Sequence, residues 1–258
     1  MKKGILYTLM MMTLLVVAAC GSSVDGQSSE DKKKLVMGTS ADYKPYEFID
    51  TDQSEDIIGF DIDIANHIAD ELGYELEVRN MDFNGLVAAL NSNKVDFVIS
   101  GMTPTEKRKE QVDFSDIYYV AKDAIVFNGE DGYKELSDLE GKTVGVQLGS
   151  IQEELAKDLE QEIDGLKIKS LDTIPNLVQE LKAGRIDATI IENTVSKGYL
   201  EANDGLGQFE VNDQGEQGSA IAFPQGNDEL VQQFNEEISN MKESGKMDEL
   251  IQKWFGEQ

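Results

Sequence analysis

Two stretches of this chain carry one pattern at one spacing. Leu86, Val87 and Leu90, then Lys94, Val95, Asp96 and Ile99, are matched by Leu177, Val178 and Leu181, then Arg185, Ile186, Asp187 and Ile190. In both, apolar residues spaced for one helix face run into a polar turn, and an apolar run follows that reads as a strand. Such a unit cannot bury its apolar face alone, so two copies imply two similar α/β lobes, each with its own sheet. The flanking sequence agrees. "KLVMGTS" reads as a strand, "FDIDIANHIADELG" as a helix with Ile62, Ala65, Ile68, Ala69 and Leu72 on one face, and "YELEVRN" as a strand; "FNGLVAALNSN" and "VDFVIS" complete β-α-β-α-β. The second half repeats this order with "KTVGVQL", "SIQEELAKDLE", "LKIKSL", "IPNLVQELKAG" and "IDATIIE". The alternation predicts mostly parallel sheets flanked by helices.

Two further extended segments, "KDAIVFN" and "SAIAFP", carry the chain from the first lobe to the second and back, and a helical tail interrupted at Gly245 follows. Two crossings make a hinge, and two lobes on a hinge enclose a cleft. The expected division is residues 35–122 with 221–258 for the first lobe and 123–220 for the second. In open α/β sheets, ligands sit beyond the carboxyl ends of the strands.

The first residues stand apart from this fold. Lys2 and Lys3 precede an apolar run from Ile5 to Ala19, which has the form of a signal peptide and is short for a membrane span. It ends at Val17-Ala18-Ala19-Cys20, which resembles a bacterial lipobox. Residues 1–19 are therefore expected to be removed, and Cys20, the sole cysteine, to carry the lipid that anchors the chain to the outer face of the cell membrane. Residues 20–34 read as the lipidated Cys and a flexible tether. Asp and Glu number 50 against 23 Lys and Arg, a formal charge of −27 that argues against nucleic acid as a partner.

The strand ends concentrate the chemistry. Ser100, Gly101 and Thr103 follow a strand, and Thr103 with Pro104 and Glu106 has the form of a capping box that opens a helix carrying Arg108. In the second lobe Ser150 and Glu153 form another box after Gly149, and Glu192 ends an apolar strand. An arginine with helix N-termini on one side of a cleft and an acid on the other suit the carboxylate and ammonium of an α-amino acid. The sole histidine, His67, lies on a charged helix and is assigned no role. With no Ser-His, Cys-His or metal-ligand cluster, neither catalysis nor a cofactor or metal is expected.

The chain resembles the family 3 extracellular solute-binding proteins, the receptors of polar amino acid ABC transporters. The segments "GTSADYKPYEF", "GFDIDIANHIADELG", "MDFNGLVAAL", "VISGMTPTEKR", "VDFSDIYY", "VGVQLGS" and "IAFPQGNDEL" carry the resemblance, in order, from about residue 35 to the end. It implies a two-lobed periplasmic-binding-protein-like fold (type II), an expected monomer that closes around a polar L-amino acid and docks on an ABC permease with its ATPase subunit. Carried over by position, Tyr43 and Phe83 sandwich the ligand side chain. Arg108 grips the α-carboxylate with backbone near Thr103 and Ile151, and Glu192 holds the α-ammonium with Gly101 and Thr103 assisting. Ser100, Gln147, Ser150 and Gln152 line the side-chain end. One position departs: Ser40 stands where binders of cationic amino acids and glutamine carry an acid, and Glu47, nearby, is the candidate source of that charge. Arginine or lysine is favoured, with glutamine close. The same fold also resembles cyclohexadienyl dehydratases and ligand-sensing modules, which are the alternative readings.

Overall fold

The computed structural model of the protein describes residues 33–51, 54–211 and 217–256; the expectations for the leader, Cys20 and most of the tether lie outside the described residues. The first lobe opens with β1 (Lys34–Thr39), β2 (Asp42–Tyr43), β3 (Glu47–Ile49), β4 (Ile57–Ile58), α1 (Phe60–Glu71) and β5 (Glu75–Asn80). It continues with α2 (Leu86–Asn91), β6 (Phe97–Val98), α3 (Glu106–Lys109), β7 (Val112–Phe114) and β8 (Tyr119–Ala121). The second holds β9 (Asp123–Asn128), β10 (Thr143–Gln147), α4 (Ile151–Glu162), β11 (Lys167–Leu171), α5 (Ile174–Lys182), β12 (Ala188–Glu192), α6 (Asn193–Glu201) and β13 (Leu206–Glu210). The chain returns through β14 (Gln217–Ser219) and β15 (Ala222–Pro224) and ends in α7 (Asp228–Ser244) and α8 (Lys246–Phe255).

The strand order is β5-β1-β6-β15-β7 in one sheet and β11-β10-β12-β9-β13 in the other. In each, four strands run one way and a single strand, β15 in the first sheet and β9 in the second, runs against them. The reversal has a topological cause: β9 and β15 are the segments that arrive from the other lobe, so each enters its sheet from the opposite end. Between the sheets, β8 and β14 pair antiparallel, Tyr119 with Ser219 and Ala121 with Gln217, so the two crossings form one ribbon.

The repeated pattern has the same mechanics in both lobes. Asp96 Oδ2 accepts from the Val36 backbone N–H at 2.7 Å, and the Asp96 N–H returns a bond to Val36 O at 2.7 Å. Asp187 does the same with Thr143, at 2.7 and 2.8 Å. Each aspartate thus ties the turn before one parallel strand to the start of its neighbour. Gly38 and Gly145 occupy matching places on β1 and β10. A Cβ on Gly38 would lie 3.3 Å from Val95, and one on Gly145 would lie 2.5 Å from Ile186, so the small residue admits the turn's apolar side chain. The echoed apolar residues Leu86, Leu90, Leu177, Val178 and Leu181 are buried.

Separate apolar clusters fill the two lobes, and a third runs between them, from Phe97, Phe223 and Phe234 through Tyr43 and Tyr46 to Leu177 and Ile191. The tail breaks at Gly245, where φ is +79°, into the two helices expected. Two local expectations change. "FNGLVAALNSN" begins as a 3₁₀ turn over Phe83–Gly85 before α2. The helix carrying Arg108 is one turn long and is capped by Thr105, whose side chain accepts from the Arg108 N–H at 3.3 Å, rather than by Thr103. The helix begins only at Glu106, so the residue before it, Thr105, takes the extended backbone of a cap. Among the described residues, no helix is long and apolar enough to cross a membrane.

Gly59 precedes α1 with φ at +142°, and a Cβ there would stand 2.1 Å from the Tyr46 carbonyl oxygen. Gly59→Ala therefore has both a disfavoured backbone and a backbone clash, and is expected to destabilise the protein by at least about 3 kcal/mol in denaturant titration. A change below about 1 kcal/mol would show that the β3–α1 junction gives way freely.

Candidate ligand-binding site

The residues singled out from sequence come from five separate stretches of the chain, and the fold brings them to one cavity. It lies between the lobes, with about 350 Å³ of space free of protein atoms, part of it open to solvent. Tyr43, Phe83, Ser100, Gly101, Thr103, Arg108, Gln147, Ser150, Ile151, Gln152 and Glu192 all border it, as do Ser40 and Glu47. Asp42 borders it too and was missed. Its signal was present: in "SADY" it lies between two residues already singled out, and in an alternating stretch a charged side chain there has to face something polar.

On the first-lobe side, Arg108 Nη1 donates to Thr103 O at 2.7 Å. Its guanidinium lies 5.3 Å from the Phe83 ring centroid, a cation–π contact that holds the group flat. Burial pulls it down to about 10, and no carboxylate lies within ion-pair distance among the described residues. Tyr43 stacks on Tyr46 with ring centroids 5.5 Å apart, a hydrophobic wall.

On the second-lobe side, Ser150 caps α4, its hydroxyl accepting from the Glu153 N–H at 3.1 Å. Glu153 Oε2 accepts in turn from Gly149 N–H at 2.8 Å, one residue before the cap, so the box is offset by one position. Glu192 ends β12 fully enclosed. Burial raises its carboxyl from 4.5 to about 8, and the nearby acids Asp123 and Asp61 push the same way. Its Oε2 makes no hydrogen bond of ordinary length among the described residues, though the Tyr46 and Thr194 hydroxyls stand near enough to oppose part of the rise.

Glu47 sits at the start of β3 with no exposed surface. Ser100 Oγ donates to its Oε1 at 2.8 Å, and Oε2 meets no donor. Burial, then the carboxylate of Asp61 beside it, raises Glu47 well above the usual range, whereas Asp61 rises only to about 6. Burial raises Asp61 too, against bonds from the Gly101 N–H at 2.8 Å and the Tyr118 hydroxyl at 2.9 Å. Glu47 therefore keeps the proton of this pair. Asp61 was not singled out from sequence; as a charged residue in the first turn of an otherwise apolar helix face it reads as a dipole partner. Gln152 Nε2 donates to Asp123 Oδ1 at 2.7 Å, which leaves its carbonyl end for the cavity.

The lobes meet directly. Arg108 Nη2 donates to Gly149 O at 3.0 Å, the Glu192 N–H reaches the Tyr43 hydroxyl at 3.4 Å, and Lys107 pairs with Glu154 at 2.9 Å. A Cβ on Gly149 would lie 3.0 Å from that of Asn84, so the backbones pass closely. Among the described residues, no group of three or more His, Cys, Asp or Glu side chains is placed to hold a metal.

The raised Glu192 links stability to pH. A carboxyl whose folded value exceeds its unfolded one stabilises fully below pH 4.5, and that contribution is lost as pH rises through about 8. Relative to Glu192→Gln, the wild-type chain should lose on the order of 4 kcal/mol between pH 5 and pH 8. Parallel stability–pH curves for the two proteins would show that Glu192 is not buried as described.

Comparison with known proteins agrees with this architecture. The arginine-binding extracellular protein ArtP of Bacillus subtilis (strain 168) is 49% identical over 257 residues, covering 99% of this chain and 98% of that protein. The L-cystine-binding protein TcyJ of Escherichia coli (strain K12) is 30% identical over 96% of this chain and 94% of its own length. Among solved structures, an ancestral arginine-binding protein bound to arginine superposes with a TM-score of 0.81 at 42% identity, covering 88% of this chain and 100% of the other. The sequence matches the family profile over residues 35–257, and the chain belongs to the bacterial extracellular solute-binding proteins, family 3.

Proposed function

We propose that the cleft binds a cationic L-amino acid, arginine first, and that the closed protein delivers it to an ABC permease and its ATPase subunit. The observation that carries the reading is a charge complement. One half-buried guanidinium, Arg108, stands without a carboxylate, and two buried carboxyl groups, Glu192 and Glu47, each have an oxygen without a hydrogen bond. That set matches a ligand with one carboxylate and two cationic groups better than a zwitterion with a neutral side chain.

In this reading Arg108 grips the α-carboxylate with the backbone near Thr103 and Ile151, and Glu192 takes the α-ammonium with Gly101 and Thr103. Tyr43 and Phe83 flank the aliphatic stem. Ser100 steers Glu47 toward the side-chain cation, and Ser40, Gln147, Ser150 and Gln152 complete that end. The ligand bridges both lobes and shifts the population to the closed form. The names of the relatives support arginine, while a structure of the ancestral protein with glutamine keeps that amino acid as the comparator. The leader and Cys20 belong to the same reading: export, a lipid on Cys20, and a monomer held outside the cell membrane, divided into lobes at about residues 122 and 221.

A second reading, a dehydratase on the same fold, has one observation in its favour. A buried carboxyl that keeps its proton near neutrality, as Glu192 does, is what a general acid needs. One solved relative, 35% identical, is an ancestral amino acid-binding protein described as a precursor of cyclohexadienyl dehydratase.

Calorimetry on protein refolded free of ligand decides. L-arginine should bind and raise the melting temperature. Arg108→Ala should weaken it at least about a hundredfold, because a buried carboxylate is left unpaired. Glu47→Gln should weaken arginine at least about tenfold while leaving glutamine within about threefold. Equal losses for both ligands would remove Glu47 from the side-chain role, and turnover of prephenate with no response to amino acids would favour the enzyme.

A further inference from the structure

Asp42 is anchored in one lobe and bonded to the other. Its Oδ1 accepts from Ser40 Oγ at 2.9 Å within its own lobe. Its Oδ2 accepts across the cleft from the Ile174 backbone N–H at 2.9 Å and from Gln147 Nε2 at 3.3 Å. Ile174 is the first residue of α5, and that helix end lacks a cap of its own. Thr173 occupies the cap position but makes no side-chain capping bond, the first turn has no acidic residue, and Pro175 supplies no N–H. A helix N-terminus favours a carboxylate, and here the carboxylate arrives from 132 residues away. Gln147 steadies the junction by donating also to Asp172 O at 3.2 Å, in the loop leading to α5.

We propose that Asp42 is the latch of the cleft, a first-lobe carboxylate that completes the N-cap of helix α5 only when the lobes close. Its bond differs in kind from the other contacts across the cleft. Asp42 borders the cavity as Arg108 and Tyr43 do, but both its carboxylate oxygens are taken by protein donors, and Lys107–Glu154 is a solvent-exposed pair. Opening the cleft returns Ile174 to an unsatisfied N–H and Asp42 to water, so the bond adds to the barrier against opening while leaving the open state free to receive ligand. Asp42 is a positioning residue: it acts on how long the lobes stay together.

The proposal uses the amino acid reading only for its probe, L-arginine. The full chain, Asp42→Ala and Asp42→Asn are compared by stopped-flow binding of L-arginine and by amide hydrogen exchange at Ile174. The alanine variant should release arginine about tenfold faster with association changed less than about threefold. Asparagine keeps an acceptor for the Ile174 N–H and should recover part of the loss. Exchange at Ile174 should quicken in the alanine variant alone among the α5 amides. An unchanged release rate would overturn the latch, as would equal changes in association and release. If the wild-type chain takes up no arginine, the ligand reading fails, and the lobes are instead cross-linked shut through Lys107→Cys and Glu154→Cys, which face each other across the cleft; Ile174 protection in that closed chain that does not depend on residue 42 overturns the proposal. Should the alanine variant fail to fold, the asparagine variant carries the same comparison, with a release rate equal to wild type as the overturning result.

Discussion

Closing the cleft takes two carboxyl groups, Glu192 and Glu47, out of water without giving either a cation of the protein's own. Desolvating an ionised carboxylate costs several kcal/mol even after relaxation, so a protein in this state has two recourses. It can keep the protons, which is the direction in which burial moves both groups. Or it can meet cations brought in from outside. The second recourse is the proposed function, and the first is what the same geometry does without it. Arg108 mirrors the problem in milder form and with opposite sign, since its half-buried guanidinium lies against carbonyls and a ring and faces no carboxylate. Three groups, each unfavourable alone, thus define the charge pattern of what fits between them.

The scaffold that holds these groups is one device used twice. The Asp96–Val36 and Asp187–Thr143 pairs lock matching turns to matching parallel strands, and Gly38 and Gly145 make room for Val95 and Ile186. Because the strands are locked at their starts, their far ends emerge at defined heights. Those ends carry Ser100 and Gly101 in one lobe and Glu192 in the other. The β8–β14 ribbon joins the two sheets covalently and through backbone pairing, and is the place about which one lobe can turn against the other.

The cleft's contacts divide by what they respond to. Arg108, Glu192 and Glu47 answer to charge inside the cavity. Asp42 on α5 and the close pass of Gly149 by Asn84 answer to the distance between lobes. A receptor needs both, since recognition without closure leaves a ligand exposed, and closure without recognition has no selectivity.

The sequence by itself determined the two-lobe plan, because the period-3.6 and extended runs recur at one spacing and apolar faces must be covered. It determined most of the cavity as well. Residues at strand ends and helix starts face the cleft by topology, so Arg108, Ser150 and Glu192 were legible, and the ordered family segments placed Tyr43, Phe83, Gln147 and Gln152. Tertiary structure decided what depends on partners distant in the chain. Which of Thr103 and Thr105 caps α3 turned on where the helix starts, at Glu106 rather than at Pro104. That Glu47 keeps a proton follows from the depth of β3 and the approach of Asp61 from α1, neither of which a linear pattern encodes. Asp42 drew no reading from the sequence. Its role came from an N–H on a helix 132 residues away, brought to it only when the lobes meet.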